Sequence, residues 1–328
     1  MLKKKSKVAI VGMGYWAPVL LRNLLELNIS VDAISETNFS RIKYIKKNYK
    51  KIKIFKSYKQ MIANTEATAI IIATPARTHF KIAMDCLKKN KHILVEKPLC
   101  FKNSELNKIK ILSKKKKLVV QTNYIYQFNP YVIYLKKLFD NKKLGNIKHI
   151  FMERLNLGKV KNDIDVFWNL AVHDLSILFY LFEKSKFKKI NKIGVSLKKK
   201  NIFDLGILNI KINNKINAMI RSSWYHPIKK REITVIGEKG IVIFDEMNEN
   251  KVKIYFTNRE KVELNTSGYE YDYFKKNNLI RKINFISPKI KFKSPVIQAL
   301  KKFFLKIRDK KKQSNFSYSE KIIKILGN

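Results

Sequence analysis

The sequence predicts an α/β protein: a doubly wound parallel sheet at the N-terminus, then an α+β domain with a large, mostly antiparallel sheet. Three observations predict this. Up to about residue 122, short apolar strands alternate with amphipathic helices. Beyond it, strands follow one another closely and are separated by turn residues. The chain has 328 residues, enough for about two domains. The expected division is residues 1–122 and residues 123–328.

The elements follow in order. Residues 8–11 form a buried strand. Residues 16–27 form a helix whose Val19, Leu20, Leu24 and Leu27 share one face. A second strand covers 30–34. The helix over 40–48 starts with Ser40 as its N-cap. Residues 52–55 are a third strand and 58–62 a short helix. Residues 69–73 are apolar throughout, as a strand covered on both faces requires. A helix over 78–89 buries Phe80, Ala83 and Leu87. Strands at 92–95 and 118–121 flank a helix at 104–113. Right-handed crossovers then place helices on both faces of one parallel sheet.

The second domain opens with a helix at 132–139, a strand at 146–156 and a strongly apolar helix at 169–182. Strands follow at 190–196, 203–212, 215–223, 232–236, 240–244 and 252–256. Asn213-Asn214 and Glu238-Lys239-Gly240 mark turns between antiparallel neighbours. Residues 264–293 read as irregular and basic. Helices at 295–308 and 319–326 close the chain.

Composition excludes several classes. Hydrophobic residues make up 45% of the chain, too many for a disordered one. No run of about 18 apolar residues suggests a membrane span. Met1–Lys7 is basic, but a strand and a turn with Gly12, Gly14 and Pro18 follow, which a secretory signal lacks. Cys86 and Cys100 are too few for a disulfide framework or a cysteine metal site. A reducing, cytoplasmic setting is expected. The net charge is +45, which raises the question of nucleic acid or acidic membrane. Of the 70 basic residues, 61 are Lys, spread over every element, including Lys46, Lys88, 114–117, 198–200 and 310–312. Specific nucleic-acid sites favour Arg and aromatics on a known module, and none is present. The charge therefore reads as a solvated surface that still attracts anionic substrates.

Gly12-Met13-Gly14-Tyr15-Trp16-Ala17 joins the first strand to the first helix. Gly12 suits a tight turn, Gly14 lets backbone approach a pyrophosphate, and Ala17 is small enough for close helix–strand packing. Free N–H groups and the positive dipole end of the helix favour phosphate. Glu36 ends the second strand, where a carboxylate accepts from ribose hydroxyls and repels a 2′-phosphate. NAD is the expected cofactor. Arg41 and Lys43 nearby keep NADP as the alternative.

Further motifs sit at strand ends: Ala73-Thr74-Pro75, then Arg77-Thr78-His79, then Glu96-Lys97-Pro98. The second domain carries Trp168-Asn169-Leu170-Ala171-Val172-His173-Asp174. With the glycine turn, this set resembles the Gfo/Idh/MocA family of NAD(P)-dependent sugar oxidoreductases. The likeness continues through Asn129-Pro130, Lys143-Leu144-Gly145, Glu153 to Gly158, and Ser223-Trp224 with Pro227, Lys229 and Arg231. The Gly-Tyr-Trp-x-Pro form of the turn resembles members acting on nucleotide-linked sugars in surface-polysaccharide synthesis.

The resemblance implies a Rossmann domain and a second domain whose open sheet forms a homodimer or homotetramer interface. It implies catalytic roles for Lys97 and His173. Cofactor contacts are expected at Gly12, Gly14, Tyr15, Trp16, Glu36, Thr74, Pro75, His79, Glu96 and Lys97. Substrate contacts are expected at Lys97, Tyr124, Arg154, Asn169 and His173. The substrate expected is a sugar or nucleotide sugar.

The chemistry also follows from the residue types. Oxidising a secondary alcohol removes a hydride and a proton. Histidine is a suitable base near neutral pH, and a lysine ammonium can bond the developing alkoxide. Family members often carry Asp four residues before the His, but Asn169 stands there and can only orient or bond. That departure supports the alternative of a dinucleotide-binding sensor or partner protein without redox turnover. His92, His149 and His226 lie in no constellation. No metal-ligand spacing occurs, so no metal is expected.

Overall fold

In the computed structural model, residues 7–158, 160–256, 285–309, 314 and 316–327 are described. Most of the stretch read as irregular, residues 264–284, and the basic run 310–312 lie outside them. The first domain is built from β1 (Lys7–Val11), β2 (Ser30–Ser35), β3 (Lys53–Phe55), β4 (Ala69–Ile72), β5 (His92–Val95) and β6 (Val120–Thr122). These six strands pair in parallel in the order β3-β2-β1-β4-β5-β6. Two halves wind outward from the β1/β4 junction, where crevices at strand C-termini collect ligands.

Helices α1 (Ala17–Glu26), α2 (Phe39–Asn48), α3 (Tyr58–Asn64), α4 (His79–Lys88) and α5 (Asn103–Lys115) cover the faces. The central strands are wholly apolar because both faces are covered: Ile70, Ile71 and Ile72 have no exposed surface. The cap of α2 differs from expectation. Asn38, not Ser40, accepts the N–H of Arg41, and the Ser40 hydroxyl donates to Asn38 Oδ1 at 2.6 Å. An Asx cap two residues earlier adds a residue to the helix.

The second domain contains α6 (Pro130–Asp140), β7 (Ile147–Leu157), α7 (Val172–Leu181), β8 (Phe187–Val195), β9 (Leu205–Ile212), β10 (Ile216–Ser223), β11 (Tyr225–Gly237), β12 (Gly240–Asp245) and β13 (Val252–Phe256). Its seven strands lie in the order β13-β12-β11-β7-β10-β9-β8. All pairs are antiparallel except β10 with β7. Asn213 and Asn214 both have positive φ, 49° and 57°, as a two-residue hairpin turn requires. The helix read as continuous from 169 is broken by a π turn, Phe167–Ala171, that precedes α7. Such turns often occur at functional sites.

The last helices, α8 (Pro295–Arg308) and α9 (Ser317–Leu326), take different partners. Val296, Leu300, Phe303 and Phe304 of α8 join Val8, Ile10, Leu20 and Leu24 in one cluster on the first sheet. Gln121 donates to the Ala299 carbonyl at 3.0 Å. Residues 295–308 thus pack on the first sheet, although they follow the second sheet in sequence. The other face of the first sheet shares a continuous apolar core with the second domain, from Ile70 and Val95 through Val172 and Phe179 to Val235.

Because α8 backs the helix that follows the glycine turn, Phe303→Ala should lower stability by about 3–5 kcal/mol in urea unfolding. Leu305→Ala, at a partly exposed position, should cost under about 0.5 kcal/mol.

Candidate functional site

A cleft of about 1960 Å³ runs along the C-terminal ends of β2, β1, β4 and β5 and is closed by the second domain. Three strand spacings, about 14 Å, separate its two ends. Gly12, Gly14, Tyr15, Trp16 and Glu36 line one part. Thr74, Pro75, His79, Glu96 and Lys97 line the middle, with Asn169 and His173 facing them from the second domain.

Gly12 has φ +86°, and a Cβ there would lie 2.8 Å from Thr74 Cγ2 and 3.0 Å from the Ala73 oxygen. The position excludes every side chain. At Gly14 the same atom would meet only ordinary contacts, 3.7 Å from Arg41 and 3.9 Å from Ala73, so the space is open for a close ligand. Helix α1 starts with no side-chain cap and no acidic residue in its first turn, and Ala17 is fully buried. Its N-terminal dipole is therefore uncompensated by the chain itself.

Glu36 is buried and already engaged. Its Oε2 accepts the N–H of Met13 at 2.7 Å, and its Oε1 accepts those of Thr37 and Asn38 at 2.7 and 2.9 Å. Arg41 stands 3.8 Å away. A carboxylate has about four acceptor positions, so one remains, on Oε2, where contact with both ribose hydroxyls needs two. Glu36 therefore both shapes the turn and faces the cleft. Tyr15 is 93% exposed at the cleft mouth.

His79 is buried, with Nδ1 2.7 Å from the Pro98 oxygen and Nε2 2.8 Å from the Thr74 oxygen. The ring stands between the end of β4 and the loop after β5, and when neutral it donates to one of the two carbonyls. Burial pushes its pKa below the usual range, against the pull of the two carbonyls. Thr74 and Thr78 join hydroxyls at 2.7 Å, and Thr78 donates to Pro75.

Lys97 follows β5, its peptide to Pro98 is cis, and its Nζ donates to the backbone oxygen of Asn169 at 2.6 Å. Burial pushes its pKa down to about 8, opposed by Glu96 and reinforced by Arg154, Lys161 and Arg231. Burial also raises Glu96, whose Oε1 accepts from Asn123 at 2.7 Å. His173 makes a T-shaped contact with Tyr126, centroids 5.4 Å apart. Burial, then the charges of Lys97, Arg154 and Arg231, hold it well below 6.5. It is neutral at pH 7, as a base must be. No described carboxylate orients it.

Two residues expected to contact substrate do not line the cleft. Tyr124 is buried, with its hydroxyl 3.1 Å from Ser319 Oγ, and it does not line the cleft. Arg154 is buried behind the cleft wall, where Nε and Nη2 bond Asp174 at 2.7–3.1 Å and Nη1 bonds Tyr126 at 2.7 Å. Three of its five N–H groups are thereby engaged inside the protein. Burial disfavours its charge, but Asp174 outweighs this and raises its pKa. Arg231 and Trp224 line the cleft and were not expected to bind anything. The usable signal was scarcity: only nine arginines occur among 70 basic residues.

Among the described residues, no three His, Cys, Asp or Glu side chains gather to hold a metal ion. Likewise, no helix among them is long and apolar enough to cross a membrane.

The doubly wound sheet and the glycine turn at its switch point define a Rossmann dinucleotide-binding fold. Residues 6–124 match the NAD-binding Rossmann fold of the GFO_IDH_MocA oxidoreductase family. That match covers the first sheet and its helices, in agreement with the resemblance of the motifs. It is similar to the uncharacterized oxidoreductase YrbE of Bacillus subtilis, 21% identical over 266 residues, 77% of each chain. It is similar to the UDP-N-acetylglucosamine 3-dehydrogenase of Acidithiobacillus ferrooxidans, 29% identical over 128 residues, 39% of each chain. The solved structure of that enzyme, GnnA, matches with a TM-score of 0.76 at 17% identity, over 97% of this chain and 94% of its own. GenD2 from gentamicin A biosynthesis, solved with NAD, matches with a TM-score of 0.80 at 15% identity, over 99% and 93%.

Two outcomes follow from the site's charges. Asp174→Ala strands a buried guanidinium and should cost about 3–5 kcal/mol in denaturant unfolding. His173 binds a proton less readily folded than unfolded, so its contribution to stability is present above about pH 6.5 and lost as pH falls below it. Urea midpoints measured from pH 8 down to pH 5 should therefore fall less in His173→Phe than in the wild type.

Proposed function

We propose that the protein oxidises a secondary hydroxyl of a sugar ring, carried on a nucleotide in surface-polysaccharide synthesis. Bound NAD supplies the hydride acceptor. The observation that carries the reading is the approach of Lys97 and His173 in the cleft that the glycine turn enters. Gly12, Gly14, Tyr15, Trp16, Glu36, Thr74 and Pro75 line the cofactor's share of it, with Glu36 favouring NAD over NADP. His79 and Glu96 support that wall.

In this reading the substrate hydroxyl joins the Asn169 carbonyl as a second partner of Lys97 Nζ, an ammonium with three N–H donors. Lys97 orients the oxygen and stabilises its developing negative charge. Neutral His173 takes the proton, and the amide of Asn169 bonds the ring. The likeness to a UDP-N-acetylglucosamine dehydrogenase supports a nucleotide-linked substrate. The protein works as a homodimer or homotetramer, joined through the outward face of the second sheet, where Phe151 and Ile193 are exposed.

A second reading, dinucleotide binding without turnover, draws on Asn169. The test is NADH formation by the purified protein with a panel of UDP- and dTDP-sugars. Lys97→Ala should lower kcat at least about 100-fold while NADH still binds. The wild-type rate should fall as pH rises above about 8, where Lys97 loses its proton. Tight NADH binding with no oxidation of any sugar would favour the second reading.

A further inference from the structure

Arg231 on β11 lies directly opposite Arg154 on β7. Opposed residues of an antiparallel pair share one face, so both arginine side chains leave the sheet on its inward side, Arg154 buried and Arg231 lining the cleft. Like charges in that position are unfavourable unless each is compensated. Asp174 compensates Arg154. Among the described residues, no carboxylate pairs with Arg231 and no hydrogen bond from its side chain occurs.

Three neighbouring acids, Glu246, Glu153 and Glu232, are committed elsewhere. Glu246 is bonded to Arg231 only through the backbone, its N–H 3.0 Å from the Arg231 oxygen, and its carboxylate accepts from Tyr126. Glu153 and Glu232 lie on the outward face, where Lys230 and Arg221 hold Glu153 and Lys230 also reaches Glu232. Asp163 also lines the cleft; its backbone oxygen holds Arg77, and its carboxylate makes no ion pair with Arg231. Lys161 lines the same cleft, and its charge, like that of Arg231, acts on Lys97.

Arg231 is also close to the chemistry. Its charge acts on Lys97, His173 and Tyr126 alike. An anion seated on it would lie beside the reacting groups, on the ring being oxidised, and not out along a nucleotide diphosphate. We propose that Arg231, with Lys161, forms a subsite for an oxyanion carried on the sugar ring itself, so that the substrate is an acidic sugar. A carboxylate and a phosphate ester share the required geometry, since a guanidinium fork bonds either through two parallel N–H groups. This rests on the sugar-dehydrogenase reading and names its substrate class.

The test is calorimetric binding to the NADH-loaded protein, so it does not need turnover. Two matched pairs are compared: UDP-glucuronate with UDP-glucose, and glucose 6-phosphate with glucose. UDP alone reports the nucleotide's share. The wild type should prefer the acidic member of at least one pair, and the pair that shows it identifies the oxyanion. Arg231→Ala should weaken that member about 10- to 100-fold and leave its neutral partner within about 2-fold. Arg231→Gln should behave alike, and Arg231→Lys should restore part of the preference. Equal binding of acidic and neutral members by the wild type, or a preference that survives Arg231→Ala, overturns the subsite and leaves the dehydrogenase reading standing. Failure of NADH itself to bind overturns both.

Discussion

The bond from Lys97 Nζ to the Asn169 carbonyl holds the site together. It is 2.6 Å long and joins the end of a strand in one sheet to the helical turn that covers the other. Phe101, just past Pro98, packs on Trp168 of the same turn with ring centroids 4.9 Å apart, so an apolar contact backs the polar one. The π turn at Phe167–Ala171 sets where that carbonyl and His173 stand relative to each other. Without this junction, the glycine turn would be one half of a cleft and His173 a lone ring near Tyr126.

The electrostatics of the site are local, whatever the total charge. The surface carries +45, but solvent and salt screen it beyond roughly 10 Å. Inside the cleft, burial decides. It lowers Lys97 to about 8, lowers His173 and His79, and raises Glu96. Every one of these shifts moves a group toward its neutral form. Arg154 resists, because Asp174 meets it with three short N–H to oxygen contacts. The pair anchors β7 to α7, fixing the strand on which Arg154 lies against the helix that begins one residue before His173.

Much of the fold was legible in the sequence because two periodicities carry it. Fully apolar runs such as residues 69–72 signal strands covered on both faces, and Val19, Leu20 and Leu24 signal a helix with one packed face. Both are local patterns. What they do not encode is choice of partner. The amphipathic stripe of 295–308 shows that this helix packs, not that it returns to the first sheet. The π turn left no trace in the residue pattern. Arg154 and Asp174 are 20 residues apart, and nothing in their spacing shows that they meet, so a buried structural charge read as a substrate contact. Arg231 escaped for the opposite reason: its opposition to Arg154 exists only through strand register.

The same register explains how Asn169 can stand where a carboxylate would raise the basicity of His173. Burial depresses that ring most, and three cations add to it: Lys97, Arg154 and Arg231. Arg154 is already neutralised by Asp174, and Lys97 is needed as a cation to hold the substrate oxygen. Only Arg231 is free to be compensated, and an oxyanion on the substrate would do it. Basicity at His173 would then rise when the acidic sugar arrives, supplying from the ligand the negative charge that the chain omits at residue 169. A neutral sugar in the same cleft would leave the histidine a weaker base. Selection for charge and activation for proton transfer would then be one interaction seen from two sides.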